Sequence, residues 1–158
     1  MRLTEHFTKE EMEKSSKATV LGLDNTMPDK YISNALRVAV VLEKIREHFN
    51  LPITILSCYR SPEVNQKVGG AKTSAHLQAL AADFIIKGIS NRKICEWVVF
   101  NITDFDQIIY EFGETGWCHI GLSYNSPRKQ ILSASKTEDG KTHYQCGLKE
   151  KWYATEKG

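Results

Sequence analysis

Apolar residues along this chain follow two periods, and the switches between them mark out its elements. From Pro28 onward Ile32, Ala35, Leu36, Ala39, Leu42, Ile45 and Phe49 recur at three- and four-residue steps. That spacing predicts a long core-packing helix with Lys44, Arg46 and Glu47 near its solvated side. Asn50-Leu51-Pro52 ends it, and residues 53–59 are β-branched and apolar enough for a strand. Residues 81–86 read as a buried strand that contains one carboxylate, Asp83. Residues 106–111 and 117–124 read as the strands of a hairpin turning through residues 112–116. A last hairpin is predicted from residues 129–134 and 143–148 around the turn at 138–141.

Local start and stop signals complete the outline. Thr8-Lys9-Glu10-Glu11 is a capping box that starts a short helix within residues 3–16. Ser61-Pro62-Glu63 starts another, reaching about Lys67 before Gly69-Gly70 breaks it. Ser90 caps a helix through Phe100 with Ile94, Trp97 and Val98 on its inner face, and residues 71–74 form a loop leading to His76. Helices and strands mix without regular β-α-β alternation. The expected fold is therefore α+β, a mainly antiparallel central sheet with flanking helices. One domain is expected over residues 1–148, followed by a charged tail, 149–158, whose only docking side chains are Trp152 and Tyr153.

Composition narrows the class further. At 158 residues with 41% hydrophobic and 25% charged residues, the chain is long enough for a core and resembles ordinary globular domains. A net charge of +2 leaves no nucleic-acid footprint. Cys58, Cys95, Cys118 and Cys146 form no Cys-x-x-Cys pair and read as free buried thiols, consistent with synthesis in the cytosol. The N-terminus has no apolar signal core and no segment is long enough to span a membrane.

Chemistry concentrates between Ser74 and Asp83. An unpaired charge in a buried strand costs roughly several kcal/mol, so Asp83 needs a partner. His76 lies seven residues before it, and His119 is embedded in a second apolar strand. Two histidines and a carboxylate suit zinc with a fourth position open for water, which is a hydrolytic arrangement. A plain hydrogen-bonded pair of His76 and Asp83 inside a structural domain is the competing reading. If Glu111 faces Trp117 across the hairpin, then Glu111, Trp117 and His119 project from one side of the sheet, bringing a carboxylate within reach of the metal.

The order of motifs adds to this. Tyr59-Arg60-Ser61, Asn65, Val68-Gly69-Gly70, Ser74-Ala75-His76, Ala79-Leu80-Ala81-Ala82-Asp83 and Trp117-Cys118-His119 resemble, in sequence order, the zinc D-Ala-D-Ala carboxypeptidase superfamily. The likeness runs over residues 3–132 and is closest to the compact branch among phage endolysins. It implies the hedgehog/D,D-peptidase fold and one zinc per chain on His76, Asp83 and His119. Arg60 and Ser74 would position substrate, and Arg60 would also grip a developing oxyanion. The implied reaction is hydrolysis of a peptide bond in peptidoglycan stem peptides, as a carboxypeptidase or an endolysin-type endopeptidase. The chain would act as a monomer, made in the cytoplasm and reaching the wall only after release, as in phage lysis. The alternative is a non-catalytic wall-binding or virion domain of the same fold.

Two departures from the family pattern stand out. Ala79 replaces the usual glycine, so its turn is expected to do without a residue free to take positive φ. Gly116 stands where many relatives carry the acidic general base, leaving Glu111 and Glu114 as candidates, with Glu111 favoured on the hairpin register. His143 is expected to have no part in the metal site.

Overall fold

The computed structural model describes residues 1–149, so the expectations for Trp152, Tyr153 and the rest of the tail lie outside the described residues. Helix α1 (Lys9–Met12) carries the expected capping box at Thr8, and α2 (Ser16–Leu21), capped by Ser15, was not foreseen. The long helix α3 (Ile32–Phe49) follows a 3₁₀ turn at Asp29–Tyr31 and ends on Asn50 in the left-handed region. Then come β1 (Thr54–Ser57), α4 (Pro62–Lys67) with its Ser61 cap, a 3₁₀ turn at Ala75–Gln78, β2 (Ala81–Ile85) and α5 (Asn91–Asn101), capped by Ser90. Four strands close the described chain: β3 (Gln107–Glu111), β4 (Trp117–Gly121), β5 (Gln130–Lys136) and β6 (Thr142–Cys146).

All six strands form one sheet, in the order β1-β2-β4-β3-β5-β6. Four of its pairings are antiparallel, but β3 and β5 run parallel, so the sheet is mixed. The cause is the connection through residues 122–129. It skips over β3 to the free edge beyond, and a strand antiparallel to β4 must then run parallel to β3. Asp106 fixes this crossing. Its carboxylate accepts from the Arg128 guanidinium at 2.8 Å, and its carbonyl accepts from the Gln130 N–H at 2.9 Å.

Strand alternation splits the sheet into two unlike faces. On one face Phe84, Ile108, Cys118 and Ile120 join Val38, Leu42 and Ile45 of α3 and Ile94 and Val98 of α5 in a single buried cluster. On the other, Asp83, Ile109, Glu111, Trp117 and His119 line an open groove of about 1420 Å³. A bulge in β1 serves that groove. Ile55 pairs with Phe84 and Ser57 with Asp83, which leaves Leu56 as the extra residue and keeps Ser57 beside the carboxylate.

Two packing expectations fail. Leu36 is 40% exposed, because Val38 and Val41 share the buried side of α3 in its place. Cys146 is exposed on the edge strand β6, while Cys58, Cys95 and Cys118 are buried free thiols as expected. Among the described residues β6 is the last strand of the sheet, so no further strand pairs along its outer edge.

Candidate active site

His76 sits in the 3₁₀ turn before β2, a turn capped by Ser74, whose Oγ accepts from the His76 N–H at 3.3 Å. The imidazole is 2% exposed. Its Nδ1 lies 2.7 Å from the Cys58 carbonyl, which can only accept, so Nδ1 carries the proton and Nε2 presents a lone pair. Burial opposes a charge on this ring and lowers its pKa despite the pull of Asp83. Nε2 faces Asp83 Oδ2 at 3.3 Å yet makes no hydrogen bond. A lone pair held against a carboxylate with no proton between them suits a cation held by both.

Asp83 and His119 are cross-strand partners in the β2/β4 register, and Asp83 Oδ1 accepts from His119 Nδ1 at 2.8 Å. Burial favours the neutral acid at Asp83. The charges and hydrogen bonds of His76 and His119 outweigh it and hold the carboxyl far below the usual range. Burial likewise works against a charged His119, but the Asp83 bond and the charges of Asp83 and Glu111 raise its pKa. One atom from each of His76, Asp83 and His119 lies within 4.8 Å of the others, so the three could hold a metal ion. His143 lies exposed on β6, apart from that group.

Glu111 ends β3 opposite Trp117, the register expected from the sequence, and its Oε1 is 3.6 Å from His119 Nδ1. Burial, helped by the Asp83 charge, pushes its carboxyl up to about 7. Across the groove stands Arg60, whose backbone N–H bonds the His76 carbonyl at 3.0 Å. Its guanidinium donates to Asn65 Oδ1 at 3.1 Å, and Asn65 is itself anchored by donating to the Ala71 carbonyl at 3.0 Å. Gly70 makes room for that clamp, since a Cβ there would fall 2.1 Å from Asn65 Oδ1 and 2.8 Å from Arg60 Nη1. Burial lowers the Arg60 pKa, and Asp83 and Glu111 offset part of it. Arginine keeps its charge regardless.

The Peptidase M15 family model matches residues 5–121, from the first helix to the end of β4. The chain belongs to the peptidase M15 family. M15 peptidases are zinc-dependent, and the His76, Asp83 and His119 cluster offers the donor set for that ion. No curated protein matches the chain.

Within the M15 pattern, the departures at residues 79 and 116 now have physical accounts. Ala79 does take positive φ, at 54°, with its methyl fully buried, so the turn keeps the glycine conformation at roughly 1 kcal/mol of strain. Gly116 cannot be replaced in this backbone. A Cβ there would lie 1.8 Å from the Glu111 carbonyl oxygen, so no acidic side chain fits at this position. Glu111 brings a carboxylate to the metal group from the neighbouring strand instead.

Glu114, the other candidate base in this M15 chain, is engaged elsewhere. Its two carboxylate oxygens accept from the N–H groups of Asn91 (2.7 Å) and Arg92 (3.1 Å) at the start of α5, and from the Tyr110 hydroxyl. It is a helix cap. Asn91, buried, ties the same turn down by donating to the carbonyls of Gly113 and Gly116. Replacing Glu114 with alanine is therefore expected to lower stability by about 1–2 kcal/mol, seen as a fall in Tm, without changing zinc content or kcat per folded molecule.

Sequence reasoning gave no role to Asn65, Gly70, Asn91 or the Cys58 carbonyl. Asn65 and Gly70 stand inside the family motif, which was the available signal. The carbonyl leaves none, because any residue type can offer a main-chain acceptor, and Asn91 leaves none because the carbonyls its amide reaches lie 22 and 25 residues away.

Proposed function

We propose that the protein is a zinc peptidase that hydrolyses peptide bonds in peptidoglycan stem peptides, on the hedgehog/D,D-peptidase fold, as one domain over residues 1–148. The observation that carries this reading is the buried lone pair of His76 Nε2 facing Asp83 beside His119, on the floor of a groove that also holds Glu111 and Arg60. When bound, zinc supplies a Lewis acid that polarises a carbonyl and acidifies a water. Glu111 takes a proton from the attacking water at its carboxylate and delivers it to the departing amine nitrogen. Burial and the Asp83 charge raise its pKa in the metal-free site, and a bound dication would draw it back down, leaving a carboxylate ready to accept the proton. Arg60, clamped by Asn65, donates to the oxygen on which negative charge grows, and Ser74, which also caps the His76 turn, positions substrate at the groove edge. The Cys58 carbonyl fixes the His76 ring through its other nitrogen.

We propose action as a monomer. No helix among the described residues is long and apolar enough to cross a membrane. We infer a lytic role at the cell wall, after release from the cytoplasm as in phage lysis, with the stem peptide lying in the open groove that holds Glu111 and Arg60.

The test is incubation of zinc-loaded protein with purified stem peptides and cross-linked wall fragments, reading new free amines. Hydrolysis that stops with a chelator and returns with zinc is the expected result. Zinc at one per chain without hydrolysis would favour the binding-module alternative, and absence of metal would favour a plain hydrogen-bonded pair.

Arg60→Lys gives a finer test. It keeps the charge but loses the planar two-pronged donor, so kcat/KM is expected to fall about tenfold or more while zinc content and Tm stay unchanged. An unaltered kcat/KM would make Arg60 a structural residue of the α4 loop.

A further inference from the structure

The groove does not end at Glu111. Strands β5 and β6 extend the same sheet face past β3, and Leu132, Lys136, Thr142 and Tyr144 line the groove there. This hairpin lies beyond the region matched to the family, which stops at Gly121. The register lays Glu111, Ala134 and Tyr144 side by side across three strands. Ala134 between them is fully buried, whereas Tyr144 is 52% exposed. The small methyl is thus covered by its neighbours and the phenol stands over it at the groove. Burial raises the Tyr144 pKa, and the charges of Glu111 and Asp83 add to it.

Lys136 follows two residues after Ala134 on the same face. Its ammonium donates to Thr142 Oγ1 at 3.1 Å and lies 5.2 Å above the centre of the Phe112 ring. Phe112 takes the left-handed region, φ 59°, where the turn after β3 begins, with its ring edge-on to Trp117 at 5.3 Å. No carboxylate pairs with Lys136 among the described residues, whereas Arg128, at the other end of β5, is paired with Asp106. The result is a cation held by two contacts against the Phe112 ring, lining the groove one pair along from Tyr144, without a counter-ion among the described residues.

We propose that the β5–β6 hairpin is a subsite for a carboxylate on the residue that follows the scissile bond, with Lys136 as its counter-charge and Tyr144 and Phe112 as its walls. This rests on the peptidase reading above. Glu111 returns the proton to the departing nitrogen, so that nitrogen lies on the Glu111 side and the departing segment runs toward β5 and β6. A substrate carboxylate there would be repelled by Glu111 and Asp83, and Lys136 supplies the opposing charge. The carboxylate comes from one of two sources: the free C-terminus of a single released residue, or a carboxylate borne by a residue inside the peptide.

Two pairs of synthetic stem peptides separate these sources. In the first pair the released C-terminal residue is a free acid or an amide. In the second, both C-termini are blocked and the residue after the cleaved bond carries a carboxylate or the matching carboxamide. For the zinc-loaded wild-type protein, kcat/KM is expected to fall about tenfold on neutralisation in one of the pairs, mainly through KM, and that pair identifies the source. Lys136→Gln should lose the discrimination and cleave acid and amide alike with kcat and zinc content retained. Lys136→Arg should restore the preference. If Lys136→Gln keeps the wild-type preference, or the wild type shows none in either pair, the subsite is refuted and the peptidase reading stands. If zinc-loaded wild type cleaves no peptide of either pair and no wall fragment, the peptidase reading fails and the subsite fails with it.

Discussion

His76→Ala is expected to leave the purified protein without zinc and to reduce hydrolysis by more than about a hundredfold, with Asp83→Asn and His119→Ala behaving alike. Each change leaves two protein ligands of three. Because His76 is fully enclosed, its removal also opens a cavity, so fold must be followed independently by near-UV circular dichroism. Asp83→Asn keeps side-chain volume and therefore isolates the charge. Zinc should raise the Tm of the wild type, by about 2.7 kcal/mol of stability when its free concentration is a hundred times Kd, and should not move the variants. Binding must also displace a proton from His119, whose pKa is raised by its bond to Asp83. Apparent zinc affinity should accordingly weaken as pH falls through that pKa. A His76→Ala protein that folds and holds one zinc per chain would remove His76 from the site.

Glu111→Gln is expected to lower kcat by about two orders of magnitude or more while zinc content is retained. The base must be ionised to act, so wild-type kcat/KM should rise with pH through the Glu111 ionisation. That ionisation lies at about 7 in the metal-free protein, and a bound dication draws it lower. The acidic limb of the profile should thus have its midpoint at or below about 7, and Glu111→Gln should lack it. Stability carries a second signature. The Glu111 pKa is raised in the folded state from an ordinary 4.5, so the folded metal-free protein binds more protons than the unfolded chain between the two values. Its contribution to stability therefore declines as pH rises from about 4.5 to about 7, by on the order of 3 kcal/mol. Metal-free Glu111→Gln should be the more stable protein at pH 8, and its advantage should shrink toward pH 5. An active Glu111→Gln beside an inactive Glu114→Ala would reverse the assignment and contradict the capping role of Glu114.

The elements legible in the sequence were those whose determinants lie within a few residues of one another. The Thr8 box, the Ser61-Pro62 and Ser90 caps and the spacing of apolar residues in α3 act along one local stretch of chain, and each formed where expected. The β3/β4 register was legible too, because a short turn leaves two strands little freedom to slip, and it correctly set Glu111 against Trp117. The order of the family motifs pointed to His76, Asp83, His119 and Arg60, and the fold brings all four to one groove.

The rest was decided by contacts between residues far apart in the chain, which no local window contains. The parallel β3/β5 pair depends on a connection that skips a strand, and β5 itself reads the same at either edge. The direction of Glu114 is set by α5 amides 23 and 22 residues away, so a turn glutamate that looks solvated is a cap. Exposure of Leu36 and Cys146 depends on what does or does not cover one side of a helix and one edge of a sheet. The turn at Ala79 keeps its left-handed form because the backbone on both sides holds it there, against the residue's own preference. At Gly116 the sequence alone determined that no carboxylate stands three residues before His119. Only the tertiary structure decided why, since the Glu111 carbonyl fills the space a side chain would need, and that same strand presents the Glu111 carboxylate to the site.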